Sequence, residues 1–197
     1  MSLTVEKCLQ GWTNSFRQMN AKADIVFFGD SLTYYGDFTN AFPEKVVCNL
    51  GLRGDTIQGM IDRVDQLELL EPKIVFVMAG VNDVLLPLDE FKRQYRILAD
   101  AIINVKSAPT LFIHSILPVN SAAFSISCNN EQIRRCNCCI KEIAVNEQCH
   151  YIDLFAEYYD EYTGQLSKGL TRDGIHLIDS AYDKWYNKAA MAVNEII

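Results

Sequence analysis

Five short runs of apolar residues recur along this chain of 197 residues, and they constrain its fold more than any other feature of the sequence. The runs are rich in Val, Ile and Phe without polar alternation, a pattern typical of parallel strands covered on both faces. They occupy residues 25–28, 46–49, 74–78, 111–115 and 151–153. Because both faces of such strands must be buried, we expect helices on either side of one sheet.

Helical patterns fill the segments between these runs. Over residues 56–69, apolar side chains recur at three- and four-residue spacings after a possible cap at Asp55 or Thr56. Similar patterns cover residues 91–105, 130–145 and 180–196, and an opening helix is expected over residues 5–19. Alternating strands and helices with right-handed crossovers predict an α/β fold, a three-layer α/β/α sandwich around a five-stranded parallel sheet of flavodoxin-like type.

Composition narrows the possible partners. No repeat, low-complexity tract or linker divides the sequence, so we expect one domain over residues 1–197. The formal net charge of −7 argues against nucleic acid as the main partner. The apolar runs are far shorter than the roughly 20 residues that a membrane-spanning helix needs. We therefore expect neither a nucleic-acid partner nor a transmembrane segment, and the oligomeric state stays open.

The cysteines and the N-terminal sequence bear on the cellular compartment. An odd number of cysteines, seven, in a chain large enough to need no disulfides favours reduced thiols. Residues 1–7 lack the basic region and following apolar stretch of a signal peptide. Both observations predict a cytoplasmic location, and secretion or a periplasmic location is the alternative if a signal peptide has been removed.

Four polar blocks lie where the active site of an α/β protein is expected, at the carboxyl ends of strands or near the C-terminus. They read Gly29-Asp30-Ser31-Leu32, Gly51-Leu52-Arg53-Gly54-Asp55, Gly80-Val81-Asn82-Asp83 and Asp173-Gly174-Ile175-His176. Each block alone is common by chance, but the four in this order resemble the GDSL esterase/lipase family of the SGNH hydrolase superfamily. The resemblance runs over about residues 25–185. The sequences of the second and third blocks are most similar to those of acylhydrolases of the platelet-activating-factor acetylhydrolase type.

The first and last blocks hold the groups needed for nucleophilic catalysis. Ser31 follows the first strand directly, where a tight turn can present its hydroxyl to a carbonyl carbon. A serine hydroxyl is a weak nucleophile at neutral pH and needs an adjacent base. Among the three histidines, His176 has an acid at a spacing suited to orienting it, namely Asp173, and both lie in the last block. We predict Ser31, Asp173 and His176 as catalytic residues.

The resemblance also implies an oxyanion hole. Its donors would be the Ser31 N–H, the Gly54 N–H and the Asn82 side-chain amide, which would meet the negative charge of the tetrahedral intermediate. Glycine is expected at position 54 because a Cβ would crowd that pocket. This arrangement requires no cofactor and no metal.

Each of these residues also has a structural interpretation. Ser31 could be a helix N-cap, Asp173 and His176 a surface pair, and Asn82 a turn residue. The four blocks together favour the catalytic interpretation.

Several other polar residues are expected to serve structure. Asp30, Asp55 and Asp83 are expected to accept hydrogen bonds from loop backbone. His114, at the end of the fourth run, is expected to be a partnered core or rim histidine and not a second base.

Other residues near the strand ends could bind substrate. The candidates are Tyr34, Tyr35, Arg53, Asn120 and Phe124. Ordinary loop packing is the alternative for the aromatic residues, and a solvated surface position is the alternative for Arg53. The segment 153–172 could cover the cleft.

A cysteine cluster invites a metal site but fits one poorly. Cys136, Cys138 and Cys139 fall within a helical pattern, so Cys136 and Cys138 point to different faces. Cys149 and His150 do not complete a paired ligand motif. We expect small helix residues here and no metal.

These observations predict a serine esterase for a small-molecule ester. The resemblance suggests short acyl groups, such as acetyl on a carbohydrate or a glycerol-type alcohol. The alternatives are a lysophospholipase or acyl thioesterase that acts on longer chains, or a non-catalytic binding module that keeps the fold.

Overall fold

The computed structural model describes residues 22–195 and contains the expected parallel sheet. The strands are β1 (Ile25–Gly29), β2 (Val47–Gly51), β3 (Ile74–Met78), β4 (Thr110–His114) and β5 (His150–Ile152), in the spatial order β2-β1-β3-β4-β5. All four strand pairings are parallel. The prediction of a five-stranded parallel α/β fold is confirmed.

The strands are largely apolar because each contributes side chains to two hydrophobic cores, one on each face of the sheet. In β1, Val26 and Phe28 enter the core on one face of the sheet, while Ile25 and Phe27 enter the core on the other. Every residue of β1 and β3 is buried. Burial on both faces explains why these segments show no polar alternation.

Helices cover both faces of the sheet. They are α1 (Ser31–Tyr34), α2 (Ile57–Ile61), α3 (Asp65–Leu70), α4 (Leu88–Ile103), α5 (Asn130–Asn146), α6 (Phe155–Tyr158) and α7 (Asp183–Asn194), and 3-10 turns lie at Thr39–Ala41, Lys168–Leu170 and Asp179–Ala181. Helices α2 to α5 pack against one face. Helix α7 packs against the other face through Trp185, Ala189 and Val193.

The prediction of a single helix over residues 56–69 is wrong. The segment forms α2 and α3, separated by a tight turn. In this turn Arg63 N–H bonds to Met60 O and Val64 N–H bonds to Ile61 O, each three residues back instead of four. The tighter winding accompanies the burial of the Arg63 side chain beneath the ends of the strands.

Other expected helices differ mainly at their ends. The helix expected over residues 180–196 begins at Asp183, after the 3-10 turn. The helix expected over residues 5–19 lies outside the described residues. No helix within residues 22–195 is long and apolar enough to cross a membrane.

A small hairpin lies in the segment 153–172, which was considered as a cover for the cleft. Its strands are β6 (Tyr159–Asp160) and β7 (Gln165–Leu166). Hydrogen bonds join it to the loop after β4: Leu166 N–H donates to Val119 O at 3.1 Å, and Asn120 Nδ2 donates to Leu166 O at 2.7 Å. The hairpin therefore buttresses the loop that precedes α5.

Candidate active site

The first three polar blocks begin at one edge of the sheet. Gly29, at the end of β1, is in register with Gly51 of β2 on one side and Met78 of β3 on the other. The loops that follow these strands therefore leave the sheet side by side. This edge is the carboxyl end of the parallel strands, where the active site of an α/β protein is expected.

Ser31 is the first residue of α1, directly after β1. The N-cap of this helix is Asp30, whose Oδ1 accepts the Leu32 N–H at 2.9 Å, so the alternative of Ser31 as the cap is wrong. A Cβ at Gly29 would overlap the Thr33 side chain, and therefore the turn needs glycine there. Ser31 Oγ lies 2.8 Å from His176 Nε2.

A tight turn orients His176. Asp173 Oδ2 lies 2.7 Å from His176 Nδ1, while Asp173 Oδ1 accepts the N–H groups of Ile175 and His176 at 3.1 and 2.9 Å. Gly174 takes a φ of +91°, which glycine adopts without strain. The structure thus joins Ser31, His176 and Asp173 in one hydrogen-bonded chain, although 145 positions separate Ser31 from His176.

The same contacts act on the ionisation of Asp173. Partial burial acts to raise its pKa, but hydrogen bonds from the His176 side chain and from the His176 and Ile175 backbones lower the pKa below its ordinary value. Asp173 is therefore a carboxylate at neutral pH, as required to accept the Nδ1 proton.

The three expected oxyanion donors lie on adjacent loops. Asn82 Nδ2 donates to Asp55 O at 2.7 Å, which holds the side chain against the second block and leaves one amide hydrogen available. The Ser31 and Gly54 N–H groups donate to no acceptor within residues 22–195. These two groups remain available to a ligand.

The backbone gives a further reason for glycine at position 54, beside the expected crowding of the oxyanion pocket, which stays a prediction. Gly54 takes a φ of +72°, in the left-handed region, while a Cβ there would meet no protein atom within 4 Å. Backbone conformation, and not crowding by the protein, favours glycine here.

A buried arginine connects the first two blocks. Arg63 is only 3% exposed; its Nε donates to Asp55 Oδ2 at 2.7 Å and its Nη2 to Gly29 O at 3.0 Å. Its Nη1 donates to Leu50 O at 3.0 Å. Arg63 is not among the residues predicted from the sequence, although its spacing from Met60 and Leu67 is a signal: it places a charged residue on an otherwise apolar face.

The three acids beside the blocks accept backbone hydrogen bonds, as expected. Asp30 bonds to Leu32 N–H, Asp55 to Thr56 N–H at 3.0 Å, and Asp83 to Ile57 N–H at 3.1 Å. Burial raises the pKa of Asp30 to about 7 and the pKa of Asp83 to about 6. Asp30 Oδ2 has no hydrogen-bond partner within the described residues.

The structure separates the candidate substrate-binding residues into two groups. Tyr34, Tyr35 and Arg53 lie close to the Ser31–His176 pair: the Tyr35 ring is edge-on to His176 at 5.5 Å between centroids and is 5.2 Å from the Tyr34 ring. Arg53 lies over the Tyr35 ring at 5.7 Å.

The other two candidates support loops. The buried Asn120 side chain is engaged with Leu166 O through Nδ2 and with Ala123 N–H through Oδ1, so it ties two loops together, and substrate binding by Asn120 stays a prediction. Phe124 packs against Gly174, where a Cβ would stand 2.9 Å from its own Cβ. Phe124 therefore backs the Asp173–His176 turn.

His114 is a core residue, as expected, and is fully buried between Phe76 and Trp185. A hydrogen-bond partner for its ring stays a prediction. Burial lowers the pKa of His114 to about 3, so the ring is neutral.

The clustered cysteines lie on different faces of one helix. Within α5, Cys136 and Cys139 are buried while Cys138 is exposed. In the described part of the chain, no group of three or more His, Cys, Asp or Glu side chains could hold a metal ion.

Comparisons with known proteins show the family and the fold of this chain. The model of the GDSL-like lipase/acylhydrolase family matches residues 27–184. A Streptococcus pneumoniae structure provisionally described as a platelet activating factor superposes with a TM-score of 0.77 at 22% identity, covering 99% of both chains. A GDSL-like lipase from Bacteroides thetaiotaomicron gives 0.78 at 17% identity, covering 96% of this chain and 98% of its own. An acetyl xylan esterase gives 0.74 at 21% identity, covering 86% and 98%.

A curated relative is longer than this chain. The N-acylneuraminate cytidylyltransferase of Streptococcus agalactiae is 24% identical over 189 residues, which cover 91% of this chain and 41% of the relative. The chain thus spans less than half the length of the curated relatives it matches.

Proposed function

Because the chain belongs to the GDSL-like lipase/acylhydrolase family, we propose that it is a serine esterase that forms an acyl-enzyme on Ser31. The observation that carries this proposal is the hydrogen-bonded chain from Ser31 Oγ through His176 to Asp173, with distances of 2.8 and 2.7 Å. These hydrogen bonds lie at the carboxyl edge of the sheet, where the loops after β1, β2 and β3 carry the candidate oxyanion donors.

Acylation begins when Ser31 Oγ attacks the carbonyl carbon of the ester. His176 Nε2 takes the hydroxyl proton, and Asp173 holds the ring with its proton on Nδ1 and stabilises the imidazolium. The bond to the alcohol oxygen then breaks, and His176 gives its proton to the leaving alkoxide. The products of this half-reaction are the free alcohol and an ester of Ser31.

The developing negative charge needs preorganised donors. The Ser31 N–H, the Gly54 N–H and the available hydrogen of Asn82 Nδ2 are the proposed donors to the carbonyl oxygen. Each is held before substrate arrives: Ser31 by the start of α1, Gly54 by its loop, and Asn82 by its bond to Asp55 O. Donors that need no reorganisation stabilise the transition state most effectively.

Deacylation uses the same groups with water as the nucleophile. His176 Nε2 removes a proton from the water, which attacks the acyl carbon. The bond to Ser31 Oγ breaks, His176 returns the proton to Oγ, and the carboxylic acid leaves. The enzyme is restored without a cofactor.

The proposed substrates are short acyl esters, with acetyl on a carbohydrate or glycerol-type alcohol. The sequences of the second and third blocks support a short acyl group, and one structural neighbour is named an acetyl xylan esterase. A longer acyl chain, as in a lysophospholipid or a thioester, is the second candidate. It is favoured by Tyr34, Leu85 and Leu86, which follow Ser31 and Asn82 closely in sequence and are 43%, 59% and 36% exposed.

A p-nitrophenyl ester series from acetate to palmitate tests both candidates. We expect kcat/KM to be highest at acetate and to fall with chain length, whereas an optimum at long chains would establish the second candidate. Ser31→Ala should abolish hydrolysis and labelling by a fluorophosphonate probe. The control Ser127→Ala removes an exposed hydroxyl outside the site and should retain both. Wild-type protein that neither hydrolyses any ester nor takes the label would indicate a non-catalytic binding module.

A further inference from the structure

Two arginines converge on one aromatic ring beside the proposed catalytic base. The guanidinium carbons of Arg53 and Arg172 lie 5.7 and 5.3 Å from the centre of the Tyr35 ring. The same ring contacts His176 edge-on, at 5.5 Å between centroids. Two positive charges thus share a small surface that adjoins the reacting groups.

Their hydrogen-bond donors are largely unused. Arg53 is exposed and has neither an ion pair nor a hydrogen bond within residues 22–195. Its contact with Tyr35 uses the face of the guanidinium and leaves the N–H groups free. A guanidinium with free N–H groups can bind a carboxylate or phosphate through two parallel hydrogen bonds.

Arg172 has one competing partner. Its Nη2 lies 2.6 Å from Asp179 Oδ1, but the Asp179 side chain is 95% exposed and the pair is open to solvent. Exposed ion pairs of this kind contribute little to stability because solvent screens them, so a bound anion can replace Asp179 at small cost. Of the other nearby acids, Asp173 is engaged with His176 and Asp55 with buried Arg63.

The position of the two arginines relative to His176 indicates which part of the ester they meet. His176 must deliver its proton to the leaving oxygen, so the alcohol part lies on the His176 side of the scissile bond. Tyr35 contacts His176, and both guanidiniums lie over the Tyr35 ring, so they stand next to the base that would protonate the leaving oxygen. The positive charge stands out because the whole chain carries a formal net charge of −7.

We propose that the natural ester has an anionic alcohol part, bearing a carboxylate or phosphate that Arg53 and Arg172 bind across the Tyr35 ring. This inference rests on the proposed esterase function and adds the charge of its substrate. The two guanidiniums orient the alcohol so that its oxygen faces His176 Nε2. The anion then takes the place of Asp179 on Arg172.

Matched acetyl esters test the inference. One pair is the acetate ester of glycolate against that of glycolamide, and the other is the acetate ester of ethylene glycol monophosphate against its uncharged dimethyl phosphate ester. The measured quantity is the ratio of kcat/KM for the charged ester to kcat/KM for the uncharged one, followed by acetate release. The pair with the larger ratio identifies carboxylate or phosphate as the preferred anion.

We expect a ratio well above one in at least one pair, falling about tenfold in Arg53→Gln because one charged hydrogen-bonding group is lost. Arg53→Lys should recover part of the ratio, and added KCl should lower it in the wild type. The control Arg96→Gln removes an exposed arginine from the middle of α4 and should leave the ratio unchanged. Equal rates on charged and uncharged esters, or a ratio that Arg53→Gln does not change, would overturn the inference alone. Absence of hydrolysis of every ester, including p-nitrophenyl acetate, would overturn the proposed function and this inference with it.

Discussion

Arg63 forms a buried ion pair with Asp55 directly beneath the candidate active site, with 2.7 Å between Arg63 Nε and Asp55 Oδ2. Asp55 in turn gives its carbonyl oxygen to the Asn82 side chain at 2.7 Å. Arg63 also binds the carbonyl oxygens of Gly29 and Leu50, which lie in the adjacent strands β1 and β2. One side chain therefore holds together the loops that carry Ser31, Gly54 and Asn82.

Replacing Arg63 with methionine should destabilise the protein strongly. The change leaves the buried Asp55 carboxylate without its partner, and breaking such a pair from one side costs about 3–5 kcal/mol. Urea unfolding at neutral pH would measure the free energy of unfolding. The control Arg93→Gln breaks an exposed pair with Glu90 and should cost at most about 1 kcal/mol. A loss below about 1 kcal/mol in Arg63→Met would show that the buried pair is not a structural support.

Asp30 should make stability depend on pH in an unusual direction. Burial raises its pKa to about 7 from an ordinary value of 3.8, so between these values the folded state binds more protons than the unfolded state. By linkage, the free energy of unfolding then falls as pH rises from about 4 to about 7. Asp83, with its pKa raised to about 6, acts in the same direction.

Asp30→Asn tests this contribution. The amide oxygen can still accept the Leu32 N–H, and the amide nitrogen replaces Oδ2, which has no partner within the described residues. We expect the variant to lose less stability than the wild type between pH 5 and pH 8 in urea unfolding. Parallel pH profiles for the two proteins would contradict the raised pKa.

Asp173→Asn should lower kcat sharply while leaving the fold intact. An amide can turn its nitrogen toward His176 Nδ1 and so favour the tautomer with the proton on Nε2, which cannot accept the Ser31 proton. In a serine triad this exchange lowers kcat by about 10⁴-fold. Steady-state hydrolysis of p-nitrophenyl acetate measures the loss, and far-ultraviolet circular dichroism checks folding. A variant with kcat within tenfold of the wild type would exclude Asp173 as the residue that orients the base.

Asn82→Ala should lower kcat by about 10²- to 10³-fold with little change in KM. Loss of one oxyanion donor removes about 2.7–4 kcal/mol of transition-state stabilisation and little ground-state binding. The control Asn104→Ala removes an exposed amide at the end of α4 that bonds only to its own helix at Asp100 O. Equal losses of kcat in the two variants would argue against Asn82 as a donor.

The strands could be predicted closely because their physical requirement is local. A parallel strand buried on both faces must be apolar throughout, and 74–78 was predicted with the bounds that β3 has. The first three polar blocks could also be located, because each follows closely after the end of an apolar run. By contrast, β6 and β7 contribute only two residues each, too few for any periodicity to appear.

Sequence patterns are less informative where side chains meet partners far away along the chain. The turn between α2 and α3 contains Arg63, whose side chain bonds to the carbonyl oxygens of Gly29 and Leu50, 34 and 13 positions away. Asn120 likewise meets a distant partner, since its Nδ2 donates to Leu166 O, 46 positions later. His114 is enclosed by the rings of Phe76 and Trp185, which are 38 and 71 positions away along the chain.

The sequence by itself determined the layered α/β architecture, the family resemblance and the residue types offered for catalysis, because these follow from local patterns of apolar and polar residues. Only the tertiary structure decided that Ser31 Oγ meets His176 Nε2, that Arg63 lies beneath both, and that Arg53 and Arg172 share the Tyr35 ring. The physical reason is that hydrogen bonds and ion pairs act over a few ångströms. Which distant residues come within that range is set by how the helices pack on the sheet.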